Sequence, residues 1–176
     1  MSALEPIIME IDQESIATSR LLERIPEEHL SWRPHEKSMT LGQLALHIAT
    51  IPGNIAAMLS GDSHQINPAA FANMPAATSR RQVMDALATS LTQAREFLSG
   101  LDAERAAATW QLMAGSQVIM ALPRAGVVRT VMLNHWYHHR GQMTVYLRML
   151  NVPLPAVYGR SADESAFGAP AKETSA

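Results

Sequence analysis

NHWYHHRGQ, residues 134–142, decides how this chain folds and where its chemistry would sit. It holds three of the seven histidines. His135 and His139 are four apart, a spacing that stacks two side chains about 6 Å apart on one helix face. Two imidazoles so placed can share one metal ion, which is the logic of helical His-x-x-x-His sites. Val128, Val131, Met132, Met143, Leu147 and Leu150 run in steps of three and four, and both histidines fall in that stripe. The pattern predicts a helix over 124–150, opened by Pro123 and stopped by Asn151-Val152-Pro153, with both imidazoles turned into the protein. Buried polar groups need partners. A metal ion would serve, and so would another histidine.

Working outward, three more helices are predicted. The first runs from Pro6 to about Ile25, with Ile7, Ile8, Ile11, Ser15, Thr18, Leu21, Leu22 and Ile25 on one face. A polar connector, 27–37, follows, in which His29 and His35 read as solvated and Trp32 as a cover over one end of the core. Thr40 and Gln43 have capping-box spacing and start the second helix, 41–60. Its apolar face is Leu41, Leu44, Ile48, Ile51, Ile55 and Leu59, and His47 lies on that face, either as a hydrogen-bonded core residue or as a ligand. Pro52 and Gly53 predict a kink one turn past it. The loop 61–78 is long for a helix connection and is expected to cross the bundle end or wall a pocket, with His64 facing solvent. The third helix starts at Thr78 or Ser79, continues to about Ser99 and stops at Gly100. Residues 102–122 read as an irregular crossover or a short hairpin, with Trp110 packed on the bundle.

The expected fold class is therefore all-α: a four-helix bundle with long crossover connections and room for a short hairpin before the last helix. One domain covers 1–160, and 161–176 is a small, polar, mobile tail. With 47% hydrophobic and 17% charged residues and a formal net charge of −2, the chain is globular. It has no basic stripe for nucleic acid. There are no cysteines, so any metal must use histidine or carboxylate ligands. The N-terminus lacks the basic start and unbroken apolar core of a signal peptide. No segment has the length and purity of a membrane span. The expectation is a soluble, cytoplasmic protein.

Taken together, LGQLALHIA (41–49), Pro123-Arg124, NHWYHHRGQMTVYLR (134–148) and VPLPAVYGRSADE (152–164) resemble the DinB-like family of metal-binding helical bundles. The likeness covers nearly the whole chain in order; the last-helix motif is specific, and the second-helix motif by itself is weak. The resemblance implies a four-helix bundle with a long crossover, paired as a homodimer. It implies a divalent metal, zinc or nickel, held by one histidine of helix two and two of helix four, at the positions of His47, His135 and His139. It also implies a thiol-dependent transferase or isomerase, in which a low-molecular-weight thiol attacks a small electrophile in stress response or detoxification.

Three histidines do not fill a metal's shell. With no cysteine to complete it, a position stays open to water or substrate unless a carboxylate closes it. Gln142 and Tyr146 continue the histidine stripe, either lining that pocket or as satisfied polar residues of the bundle. His138, about 100° around the helix from His139, is expected to miss the ion and to meet a dimer partner or a carboxylate. Arg140 is expected in a salt bridge at a subunit contact. Two other readings stay open: an ion that only pins helix two to helix four, and histidines that bond one another with no ion at all.

Overall fold

Thr40 opens α2 (Leu41–Leu59) as its spacing to Gln43 predicts. The Thr40 hydroxyl accepts from the Gln43 N–H at 3.1 Å, and the Gln43 side chain accepts from the Thr40 N–H at 2.9 Å. Two donors that a helix start leaves open are thereby satisfied. In this computed structural model, which describes residues 4–67 and 73–165, α2 packs against α3 (Arg80–Ser99) and the last helix, and α1 (Glu5–Leu22) packs against the same two. Ser79 caps α3 by accepting from the Gln82 N–H at 3.1 Å. A five-residue α4 (Ala103–Ala107) is capped in the same way by Asp102. The last helix, α5 (124–149), is one rod in three segments: an α turn at Arg124–Val127, a π-helical stretch at Val128–Leu133 and an α segment at Asn134–Met149.

The molecule is not purely helical, which corrects the all-α expectation. The hairpin before the last helix is present, as β2 (Thr109–Ala114) and β3 (Gln117–Pro123), turning at Gly115 with φ of +60°. That left-handed conformation favours glycine. A third strand, β1 (Ser63–Gln65), pairs in parallel with β2 and completes a sheet of order β1-β2-β3. The physical reason it escapes the sequence reading is its brevity. Three polar residues carry no hydrophobic alternation, and only the β2 backbone makes them a strand.

Two buried side chains lock the sheet to the helices. The Trp110 indole donates to the Met58 carbonyl at 3.2 Å. Arg124, 2% exposed, donates to the carbonyls of Leu59 at 3.2 Å, Gly61 at 2.9 Å and Arg105 at 3.4 Å, and pairs with Asp62. A cation thus caps the C-terminal end of α2, where carbonyls lack helical donors. Of the tail expected from 161 onward, Glu164 pairs with Arg20 and Arg24, and Asp163 pairs with Arg148; residues 166–176 lie outside the described residues. No helix among the described residues is long and apolar enough to cross a membrane.

Candidate metal centre

The site begins with a proline. Pro52 lies inside α2 and has no N–H to give to the Ile48 carbonyl four residues back. That carbonyl is taken instead by the indole N–H of Trp136 from α5, at 3.0 Å, with both residues fully buried. Next to it, the Gly53 N–H donates to Ser90 Oγ at 2.7 Å, and a Cβ on Gly53 would meet the Ser90 Cα at 2.9 Å. Pro52-Gly53 is therefore a junction at which α3 and α5 both dock on α2. Arg124 fixes one end of α5 on α2, and Trp136 fixes the next stretch. His135, adjacent to Trp136, is carried to His47.

The three predicted ligands come together. His135 Nε2 lies 2.8 Å from His139 Nε2 and 3.3 Å from His47 Nε2. The ring centroids are 4.6–5.0 Å apart, and all three residues are half-buried. Gln142, one turn on, accepts from His139 Nδ1–H at 2.8 Å, which leaves His139 Nε2 as a bare lone pair. Burial first, and then the charges that His139 and His135 would carry, push His47 down to about 4. Burial, followed by the repulsion of His139 and His138, brings His135 to about 4. His139 is lowered chiefly by burial. All three rings are therefore neutral at pH 7, the form that ligates metal.

Does this donor set fit an ion? An imidazole nitrogen has one in-plane orbital, holding either a proton or a lone pair. His135 Nε2 has two other Nε2 atoms in close contact, so one proton cannot serve both contacts with good geometry. A central cation would accept all three lone pairs. Nitrogens on tetrahedral zinc, with bonds of ~2.0–2.1 Å, sit ~3.3 Å from one another; the His47–His135 separation is 3.3 Å and the His135–His139 separation is shorter, at 2.8 Å. The residues fit a divalent metal.

Beside the triad is a cavity of about 530 Å³, whose wall includes His47 and His135. Ile51, Ile55, Met58, Ile66, Leu112 and Val131 are among the apolar residues that line it. His64 also lines it and is half-buried, so the expectation that it faces solvent is corrected. On β1 and just past it, His64 and Ile66 share one face, which exists only because β2 makes the segment a strand. Gln142 and Tyr146 are not on this wall. Gln142 orients His139, and the Tyr146 hydroxyl donates to the Met39 carbonyl at 3.2 Å while its ring meets Trp32 edge-on. His138 is exposed and touches only the His139 ring among the described ring contacts. Arg140 is 3% exposed and pairs with Glu14 of α1 at 2.6 Å within the same chain, not at a subunit contact. Trp136 was missed as a positioning residue. Its clue is the proline that leaves the Ile48 carbonyl without a helical donor.

This architecture has known counterparts. The YrdA protein of Bacillus subtilis (strain 168), itself uncharacterized, is 27% identical over 161 residues, covering 88% of each chain. The crystal structure of a DinB-like protein from Bacillus cereus ATCC 10987 superposes with a TM-score of 0.70 at 25% identity, over 88% of this chain and 97% of the other. A DinB-like protein from Bacillus subtilis, YjoA, shares the fold with a TM-score of 0.66 at 22% identity, over 89% of this chain and all of its own. The model of the DinB family matches residues 1–174, and the chain belongs to that family.

Proposed function

We propose that His47, His135 and His139 hold one divalent ion, zinc or nickel, and that the protein is a metal-dependent thiol S-transferase acting in stress response or detoxification. The observation that carries this reading is the clustering of three imidazole nitrogens beside a cavity whose wall includes His47 and His135. No carboxylate joins the group among the described residues, so a coordination position is left for a substrate atom. When bound, the ion supplies Lewis acidity that favours the thiolate over the thiol at neutral pH. The protein's part is to hold the three rings, to keep His139 in one tautomer through Gln142, and to offer a largely apolar space for a second reactant. In the overall reaction the sulfur bonds to the electrophilic carbon, the leaving group departs with its electron pair, and the thiol proton goes to solvent.

Elemental analysis of protein purified without a His tag tests the ion: one per chain, and none in His135→Ala. Turnover with a panel of small thiols and uncharged electrophiles tests the chemistry. One observation favours a second reading, a structural ion: the triad joins α2 to α5. A metal-loaded protein with no turnover, whose Tm falls sharply in His135→Ala, would establish it. Met9, Ile16, Val145 and Met149 are exposed apolar side chains on α1 and α5 and support the expected homodimer, which light scattering reads directly.

A further inference from the structure

The cavity has a composition that selects its occupant. No Asp, Glu, Lys or Arg is among the described residues that line it. Its polar groups are few, and one of them, the Thr50 hydroxyl, is spent on the Leu46 carbonyl at 2.9 Å. Its volume, about 530 Å³, lies in the ~300–1,000 Å³ range of small-molecule sites. An anionic ligand would lose its hydration here and gain no cation in return. His64 differs from the rest of the wall. Its imidazole is half-buried and has no hydrogen-bond partner among the described residues, whereas each triad imidazole has one or more.

We infer that this cavity binds an uncharged, largely apolar organic molecule carrying one hydrogen-bond acceptor, with the apolar body against Ile55, Ile66 and Leu112 and the acceptor on His64. Within the function proposed above this molecule is the electrophile, and that assignment alone rests on the metal-centre reading. His47 and His135 then form the part of the wall nearest the reacting atom. Charged electrophiles are rejected by desolvation, because the wall offers them no counter-ion.

Binding can be read without turnover. Fluorescence titration compares the neutral dye N-phenylnaphthylamine with its sulfonated analogue, which has the same aromatic body. The neutral dye is expected to bind at one site per chain, at least ten-fold tighter than the sulfonate. Leu112→Lys weakens it at least ten-fold with ion stoichiometry unchanged; Ile66→Lys is the second variant should the first fail to fold. Benzophenone displaces the dye better than diphenylmethane in the native protein, and this preference disappears in His64→Leu. Equal or tighter binding of the sulfonate, or dye affinity unmoved by both lysine variants, overturns the inference. Retention of the benzophenone preference in His64→Leu overturns the part given to His64. His139→Ala separates the two readings, since His139 is off the cavity wall: it should lose the ion and keep the dye. Dye binding in a protein that never takes up metal would sink the metal centre alone, and metal uptake without dye binding would sink the cavity alone.

Discussion

Removing the Trp136 indole N–H should orphan the Ile48 carbonyl, and the size of that effect should depend on residue 52. In the native chain Pro52 cannot donate to Ile48, and Trp136 does so from α5 at 3.0 Å in a fully buried setting. Trp136→Phe leaves a buried acceptor unsatisfied, at a cost of roughly 1–3 kcal/mol, in addition to the packing lost with the smaller ring. In a Pro52→Ala background the alanine N–H can reach the same carbonyl through the ordinary helical bond. Trp136→Phe should then cost only the packing. The packing loss is common to both backgrounds and cancels in a double-mutant cycle, leaving a coupling of about 1–3 kcal/mol. Urea unfolding of the four metal-free proteins measures it. By thermal melting, each kcal/mol would appear as about 2–4 °C for a chain of this size. Additivity within about 0.5 kcal/mol would refute the claim that the proline creates the vacancy that Trp136 fills.

Gln142→Leu removes the acceptor that fixes the His139 tautomer and should weaken metal binding by about 10–100-fold, as read by chelator competition; unchanged affinity would mean the ring is held by other means. Arg124→Lys replaces a fork that serves three carbonyls with a single ammonium and should destabilise the fold by about 2 kcal/mol, while an unchanged urea midpoint would show those contacts to be dispensable. His47 and His135 titrate at about 4 when folded and near ~6.5 when unfolded, so the unfolded chain binds more protons between those values. Stability of the metal-free protein should therefore be complete above pH 6.5 and fall progressively toward pH 4. In His47→Gln that fall should be shallower, and an identical pH profile would show that His47 does not contribute to it.

The helices were legible because their periodicity and caps are local. Thr40, Ser79 and Gly100 stand where they were read, and the paired histidines announce themselves by spacing. What was not legible depends on partners distant in sequence. β1 is a strand only because β2 lies beside it. The buried residues of the α segment of α5 are Trp136, Arg140, Met143, Tyr146 and Leu147, and Trp136 and Arg140 each stand one position after a histidine that is only half-buried. The apolar stripe drew attention to His135 and His139 and hid Arg140, whose burial is intelligible only with Glu14 and Thr18 of α1 in view. His64 failed for the same reason, since a polar tripeptide in a long loop gives no sign of the cavity that it will face.

The two anchors of α5 also bear on what a bound ion would be for. Arg124 and Trp136 both donate to backbone carbonyls of α2, one at Leu59 and the other at Ile48. The triad lies close to the second of these, because His135 adjoins Trp136 and His47 adjoins Ile48. Helices already pinned by buried hydrogen bonds do not require a metal staple, and a triad brought together by the polypeptide is preorganised for an ion that keeps a free position. A structural ion, by contrast, contributes folding free energy directly, and its removal unfolds the domain that depends on it. Chelation should accordingly leave the helical circular dichroism of this protein intact at 25 °C and abolish only what the ion does. A chain that lost its helices with the metal would show that the anchors are too weak to hold α5 alone, and the case for an open, reactive centre would lose its structural basis.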